Sequence, residues 1–223
     1  MKFGIVRFPE STCYFDTRYV LSEILEQEVY EVWHQDTKIN KIDALIIPGG
    51  SFDIGTRKKS PIISEIRKFA KIGGFVLATG FGFELLCKIG LLPGELQLNE
   101  NQKFCSKNIF IKPKHTYSAL TALQDSNFAY KIPIAEKYGK FEASDKIIKE
   151  MRENEQILFQ YCTEDGHLTE HANPTGSRAN IAGICNAAKN VYGMVPLPER
   201  AADDELGNTD GSLIFESIIA YLK

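Results

Sequence analysis

Residues 75–94, "FVLATGFGFELLCKIGLLPG", read as a short buried strand, a tight turn and a helix. The turn, Ala78-Thr79-Gly80-Phe81-Gly82, has the build of an elbow that presents a nucleophile at the top of a sheet. Small residues must flank the apex of such a turn, because strand and helix approach closely there. Ala78 and Gly82 meet that need. The apex itself is Gly80, which carries no side chain. Glycine adopts this backbone without the roughly 1–3 kcal/mol of strain that a side-chain-bearing residue stores there.

Working outward, short apolar runs alternate with segments of helical period, the pattern of a parallel sheet covered on both faces. Strands are expected at "KFGIVRF" (2–8), "VYEVWH" (29–34), "DALIIPGG" (43–50) and "FVLA" (75–78). "TRYVLSEILEQ" (17–27) predicts a helix with Val20, Leu21, Ile24 and Leu25 on one face. "SPIISEIRKFAKIGG" (60–74) predicts another, with Ser60 as N-cap and Pro61 in the first turn. After residue 100 the strands "KFCSKNIFIKP", "QILFQYC", "NIAGICN" and "NVYGMVP" are joined by polar turns, as in antiparallel hairpins. Helices are expected at "SDKIIKEMREN" and "GSLIFESIIAYLK". No repeat or linker interrupts the 223 residues, so residues 1–223 are expected to form a single α/β domain with a mixed sheet.

The composition narrows the function. A formal charge of −3 gives no electrostatic reason to expect nucleic acid or an anionic membrane as partner. No apolar run approaches the roughly 20 residues of a membrane span. The opening "MKFGIVRFPE" reads as a first strand, not a leader, and the chain is expected to be cytoplasmic. Cys13, Cys87, Cys105, Cys162 and Cys185 are widely spaced and include no CxxC pair, which argues against disulfide staples and a zinc site. Cys87 and Cys185 lie in apolar surroundings and are read as core. His167 and His171 in "HLTEH" have the i,i+4 spacing of metal ligands on a helix, but a third ligand is missing and the bland reading of an exposed turn and strand is preferred. Neither a metal nor a cofactor is expected.

Blocks on either side of the elbow carry a resemblance. "MKFGIVRFPEST", "VWH" (32–34), "DALIIPGG", "LCKIGLLPGEL" (86–96), "IPIA" (132–135), "ANPTGSRANIAGICN" (172–186), "GMVPLPERA" (193–201) and "TDGSLIFES" (209–217) occur in order. In them the chain resembles the class I glutamine amidotransferases, most closely the glutaminase subunits of phosphoribosylformylglycinamidine synthase. The resemblance implies a flavodoxin-like fold with a mixed, mostly parallel sheet and antiparallel strands in the C-terminal half. It also implies a large ATP-dependent synthetase as partner in purine biosynthesis.

In that family a cysteine at the elbow apex attacks the glutamine amide, with a histidine as base and a glutamate orienting it. Carried over, these positions are Gly80, Leu197 and Glu199. Glycine offers no nucleophile, and leucine exchanges no proton. Further departures surround the same place. Glu84 stands where the family has glutamine, Glu10 where it has glycine, and Glu136 where it has histidine. The glycine loop keeps Gly49 and Gly50 but continues as a shortened "SFDIGTRKKSP". The resemblance therefore implies a degenerate glutaminase-type subunit, unable to hydrolyse glutamine and serving as a non-catalytic partner.

The alternative is an enzyme or small-ligand-binding protein with a repurposed pocket. Glu10, Asp53, Glu84 and Glu199 lie on loops that the fold gathers, and Arg57, Lys58 and Lys59 follow the glycine loop. Such acids suit a cationic or zwitterionic ligand, although a solvated surface explains them more simply. Cys13 and Thr79 are the substitute nucleophiles nearest the elbow, and neither has an evident base. Asn173, Pro174, Gly176, Ser177, Thr209 and Asp210 fit either a partner surface or local turn chemistry.

Overall fold

A computed structural model describes residues 1–9, 11–50 and 54–223. Eleven strands are described: β1 (Lys2–Arg7), β2 (Glu28–Trp33), β3 (Ala44–Ile47), β4 (Phe75–Thr79), β5 (Glu95–Gln97), β6 (Cys105–Pro113), β7 (Tyr130–Glu136), β8 (Lys140–Glu142), β9 (Ile157–Cys162), β10 (Ile181–Cys185) and β11 (Val191–Met194). Nine form one sheet in the order β2-β1-β3-β4-β11-β10-β9-β6-β7, while β5 and β8 pair separately. The pairs from β2 to β11 are parallel. Those from β11 to β7 are antiparallel. β3, β4, β10 and β11 are buried along their whole length, as strands central to a covered sheet must be.

The helices are α1 (Cys13–Tyr19), α2 (Ile54–Arg57), α3 (Ile62–Lys71), α4 (Phe81–Lys88), α5 (Asp145–Glu153) and α6 (Ser212–Leu222). The first begins four residues before its expected start, and Cys13, Tyr14 and Thr17 supply its buried face. It continues into a π-helical turn, Val20–Ile24, closed by the Leu25 N–H on the Val20 carbonyl at 2.9 Å. Val20 and Leu21 are buried as expected, but the wide turn leaves Ile24 37% exposed.

Ser60 does not cap α3. Pro61 holds the N-cap position without a side-chain bond, and the Ser60 hydroxyl pairs with His34 Nδ1 at 3.1 Å. Ser144, by contrast, caps α5 by accepting the Ile147 N–H. β7 carries the one long strand absent from the sequence-based expectation; in "YKIPIAE" the interior proline disguises it. The segment holding His167 and His171 is not helical, so the spacing of a metal pair is lost.

Of the residues open to two explanations, Asn173 serves a local turn, whereas Asp210 reaches a distant strand. Asn173 Oδ1 accepts the N–H groups of Gly176 and Ser177, each at 3.1 Å. Asp210 Oδ2 accepts the Lys131 N–H at 2.6 Å, on the outer margin of β7.

Candidate active site at the strand-to-helix elbow

β4 runs straight into α4 through Gly80, whose φ of 49° and ψ of −120° make the sharp turn. Gly82 is fixed by packing. A Cβ there would collide with the Ile47 carbonyl oxygen and lie 3.0 Å from Ile47 Cγ2. The elbow thus wedges the start of α4 against the end of β3, a junction that needs small residues whether or not a nucleophile is mounted on it.

Above Gly80 the space is already taken. A Cβ added to Gly80 would fall on Glu136 Oε1, with Glu136 Cδ at 3.3 Å and Leu197 Cδ2 at 3.2 Å. The Phe81 N–H, first amide of α4, lies near enough to this carboxyl group to favour its charged form. Glu136 ends β7 and is only 8% exposed. Its backbone is anchored by Asn99, whose Nδ2 donates to the Glu136 and Lys103 carbonyls, each at 2.8 Å. Asn99 Oδ1 accepts the Gly139 N–H at 3.0 Å.

On the other flank, the turn after β11 brings Leu197 and Glu199 to the elbow. The Leu197 N–H donates to the Pro133 carbonyl at 2.9 Å, which ties this turn to β7. Leu197 Cδ2 and Cys13 Sγ would lie 3.1 and 3.2 Å from a Cβ on Gly49, so leucine fills the gap between glycine loop and elbow. Glu199 is 3% exposed; its Oε1 accepts the Thr79 hydroxyl at 3.1 Å, and its Oε2 has no partner. Thr79 Oγ1 in turn accepts the Gly49 N–H at 3.2 Å. Beside them Arg200 pairs with Asp16 at 2.9 Å, joining the turn to α1.

The electrostatics follow from burial. Desolvation pushes the Glu136 carboxyl up to about 8, aided by Glu84 and Glu199 and opposed by the Phe81 N–H and Arg200. Glu199 is pushed up to about 7 by burial, against hydrogen bonds from its own N–H and from Thr79 and the pull of Arg200. Burial raises Glu84 to about 7, partly offset by Lys88. Three acids with ordinary values near 4.5 therefore hold protons into the neutral range.

The structure brings Gly49, Gly80, Leu197 and Glu199 together, with Glu84 in the first turn of α4 and within electrostatic reach of Glu136. Glu10 and Asp53 lie outside the described residues. Arg57 closes α2, and Lys58 and Lys59 are exposed in the turn that follows. Cys13 is poorly placed as a nucleophile: it is 2% exposed, and burial together with Glu199 raises its thiol far above the neutral range. Thr79 has a carboxylate partner in Glu199, but its hydroxyl is buried under the elbow. Among the described residues no group of His, Cys, Asp and Glu is arranged to hold a metal.

A family model for the CobB/CobQ-like glutamine amidotransferase domain matches residues 15–212. The chain belongs to this family. Among similar amidotransferases, phosphoribosylformylglycinamidine synthase subunit PurQ of Koribacter versatilis is 40% identical, over 100% of this chain and 99% of its own. The same subunit from Aquifex aeolicus is 38% identical, over 99% and 100%. In the solved structure of PurLQS from Thermotoga maritima, one chain superposes with a TM-score of 0.86 at 28% identity, covering 100% of this chain and 99% of that one. A nine-stranded sheet carrying an elbow is thus the amidotransferase fold. In the sequence Glu136 stands out only as a replacement, since nothing local shows that the end of β7 reaches the elbow after β4. Asn99 gave no signal at all.

Proposed function

We propose that this chain is a non-hydrolysing amidotransferase subunit, which keeps the family's scaffold and works beside a large synthetase-type chain. The observation that carries the reading is the content of the elbow. Gly80 has no nucleophile, Leu197 fills the base position, and Glu136 occupies the space a nucleophile's side chain needs. Loss of either a covalent nucleophile or its base lowers the rate by several orders of magnitude. The subunit role is supported by full-length similarity to proteins named as synthase subunits and to a chain of PurLQS.

The vestigial positions are Gly80, Leu197 and Glu199, and the altered pocket comprises Gly49, Gly50 and Glu84. A continuous core from Phe3 to Ile219 supports reading residues 1–223 as one domain. No described helix is long and apolar enough to cross a membrane, which is consistent with a cytoplasmic place for the subunit.

The test is ammonia release from glutamine by the purified chain, alone and with its synthetase. Background rates in both conditions are expected. Release at an ordinary enzymatic rate would overturn the reading.

A further inference from the structure

Glu136 does more than replace a residue. Its side chain, two methylenes ending in a carboxyl group, has the same skeleton as the reactive end of glutamine. Its anchor is rigid: Asn99, 1% exposed, binds the Glu136 carbonyl, the Lys103 carbonyl and the Gly139 N–H at once. From that anchor the carboxyl oxygen reaches the space above Gly80, beside the Phe81 N–H that favours its charged form. The amide after an elbow apex is a donor that elbow enzymes aim at the oxygen of a reacting carbonyl. Leu197 closes the side from which a base would work.

We propose that Glu136 is a tethered ligand: it occupies, within the same chain, the place of a γ-carboxamide or γ-carboxylate, and so closes the elbow to free glutamine and glutamate. The inference rests on the reading that this elbow does not hydrolyse glutamine. Charge is compatible with the mimicry. The titratable groups that face the carboxyl are Glu84 on α4, Glu199 and Arg200 on the turn after β11, and Tyr161 on β9. Burial and the two acids keep Glu136 protonated at neutral pH, and a neutral carboxylic acid matches a carboxamide in shape and polarity.

The consequence is that the pocket retains a recognition function that its own residue masks. Removing the side chain should unmask it, whereas an isosteric amide should not. The Phe81 backbone amide, followed by nitrogen-15 NMR, reports occupancy directly. In Glu136→Ala, glutamine and formate are each expected to shift that resonance saturably, with glutamine at least about tenfold tighter than in the natural chain, a gap of ~1.4 kcal/mol. In the natural chain and in Glu136→Gln the resonance should stay unmoved by either probe.

Equal responses in the natural chain and Glu136→Ala would overturn the proposal, as would a folded Glu136→Ala protein silent to both probes. Should that variant not fold, the natural chain decides alone. Its Phe81 amide should titrate with an inflection in the mildly alkaline range that disappears in Glu136→Gln, and a flat profile would reject the contact. Ammonia release reads the hydrolysis question separately, so the two conclusions fail independently.

Discussion

Thr79 links two backbone layers through one hydroxyl: it accepts the Gly49 N–H at 3.2 Å and donates to Glu199 Oε1 at 3.1 Å. The glycine loop after β3, the elbow strand and the turn after β11 are therefore held by a single buried atom. In a family where glutamate orients a histidine, this chain has leucine instead, and among the described residues the side-chain hydrogen bond to that carboxyl group comes from threonine.

Thr79→Val keeps the shape and removes the hydroxyl, which leaves a buried N–H and a second carboxyl oxygen unsatisfied. Each orphaned group costs about 1–3 kcal/mol. Urea unfolding should show a loss in that range or above it, while Thr79→Ser should lose less than about 1 kcal/mol. Equal stability for the valine variant would refute the linking role.

Restoring the nucleophile and the base without clearing Glu136 should fail. Gly80→Cys with Leu197→His places a Cβ on Glu136 Oε1 and forces a strained backbone on a non-glycine residue. The strain alone is worth about 1–3 kcal/mol. Ammonia release is expected to stay at background in the double variant. Adding Glu136→His should recover part of the lost stability, measured by thermal unfolding, because it clears the collision but not the strain.

Stability should fall as pH rises through the neutral range. The folded-state values of Glu84, Glu136 and Glu199 lie at about 7, 8 and 7, all above the ordinary 4.5. The folded chain thus binds more protons than the unfolded one between roughly pH 4.5 and 8, and linkage makes stability decrease with pH across that window. The contribution is fully present below the unfolded value and is lost as pH rises through the folded ones. Melting temperatures between pH 5 and pH 9 should decline, and the decline should be shallower in Glu136→Gln. A rising profile that the same substitution leaves unchanged would contradict the buried-acid assignment.

Asn99→Leu removes the anchor of Glu136. It strands the Glu136 and Lys103 carbonyls and the Gly139 N–H, so a loss above about 2 kcal/mol is expected. The informative readout is the Phe81 amide, which should move toward its position in Glu136→Ala. An unshifted Phe81 in a folded variant would show that the carboxyl group holds its place without the anchor.

Much of this was legible beforehand because it depends on local pattern. The uniformly apolar runs of β3 and β4, the small residues of the elbow and the helical period of α5 all announce themselves within a few positions. What escaped depends on contacts distant in sequence. Pro133 hides β7 from any propensity argument, and Ser60 looks like a helix cap until His34, 26 residues earlier, takes its hydroxyl. Glu199 and Thr79 are separated by 120 positions, and Asn99 meets Glu136 across 37. No window of the chain contains those pairs. The three acids were visible as residue types, but their protonation is set by burial, which only the packed structure fixes.

The outermost strand shows how a wide sheet avoids growing. β7 lies at one margin, where unpaired donors and acceptors would offer a template to a neighbouring polypeptide. Lys131 spends its N–H on Asp210 Oδ2 and receives Asn208 Nδ2 on its carbonyl at 2.7 Å. Two residues on, Pro133 has no N–H to offer, and its carbonyl is engaged by Leu197. At both positions the rim is finished by the chain's own C-terminal third. The stretch from Leu197 to Asp210, which fills the elbow at one end, therefore also covers this strand edge against edge-to-edge pairing at the other.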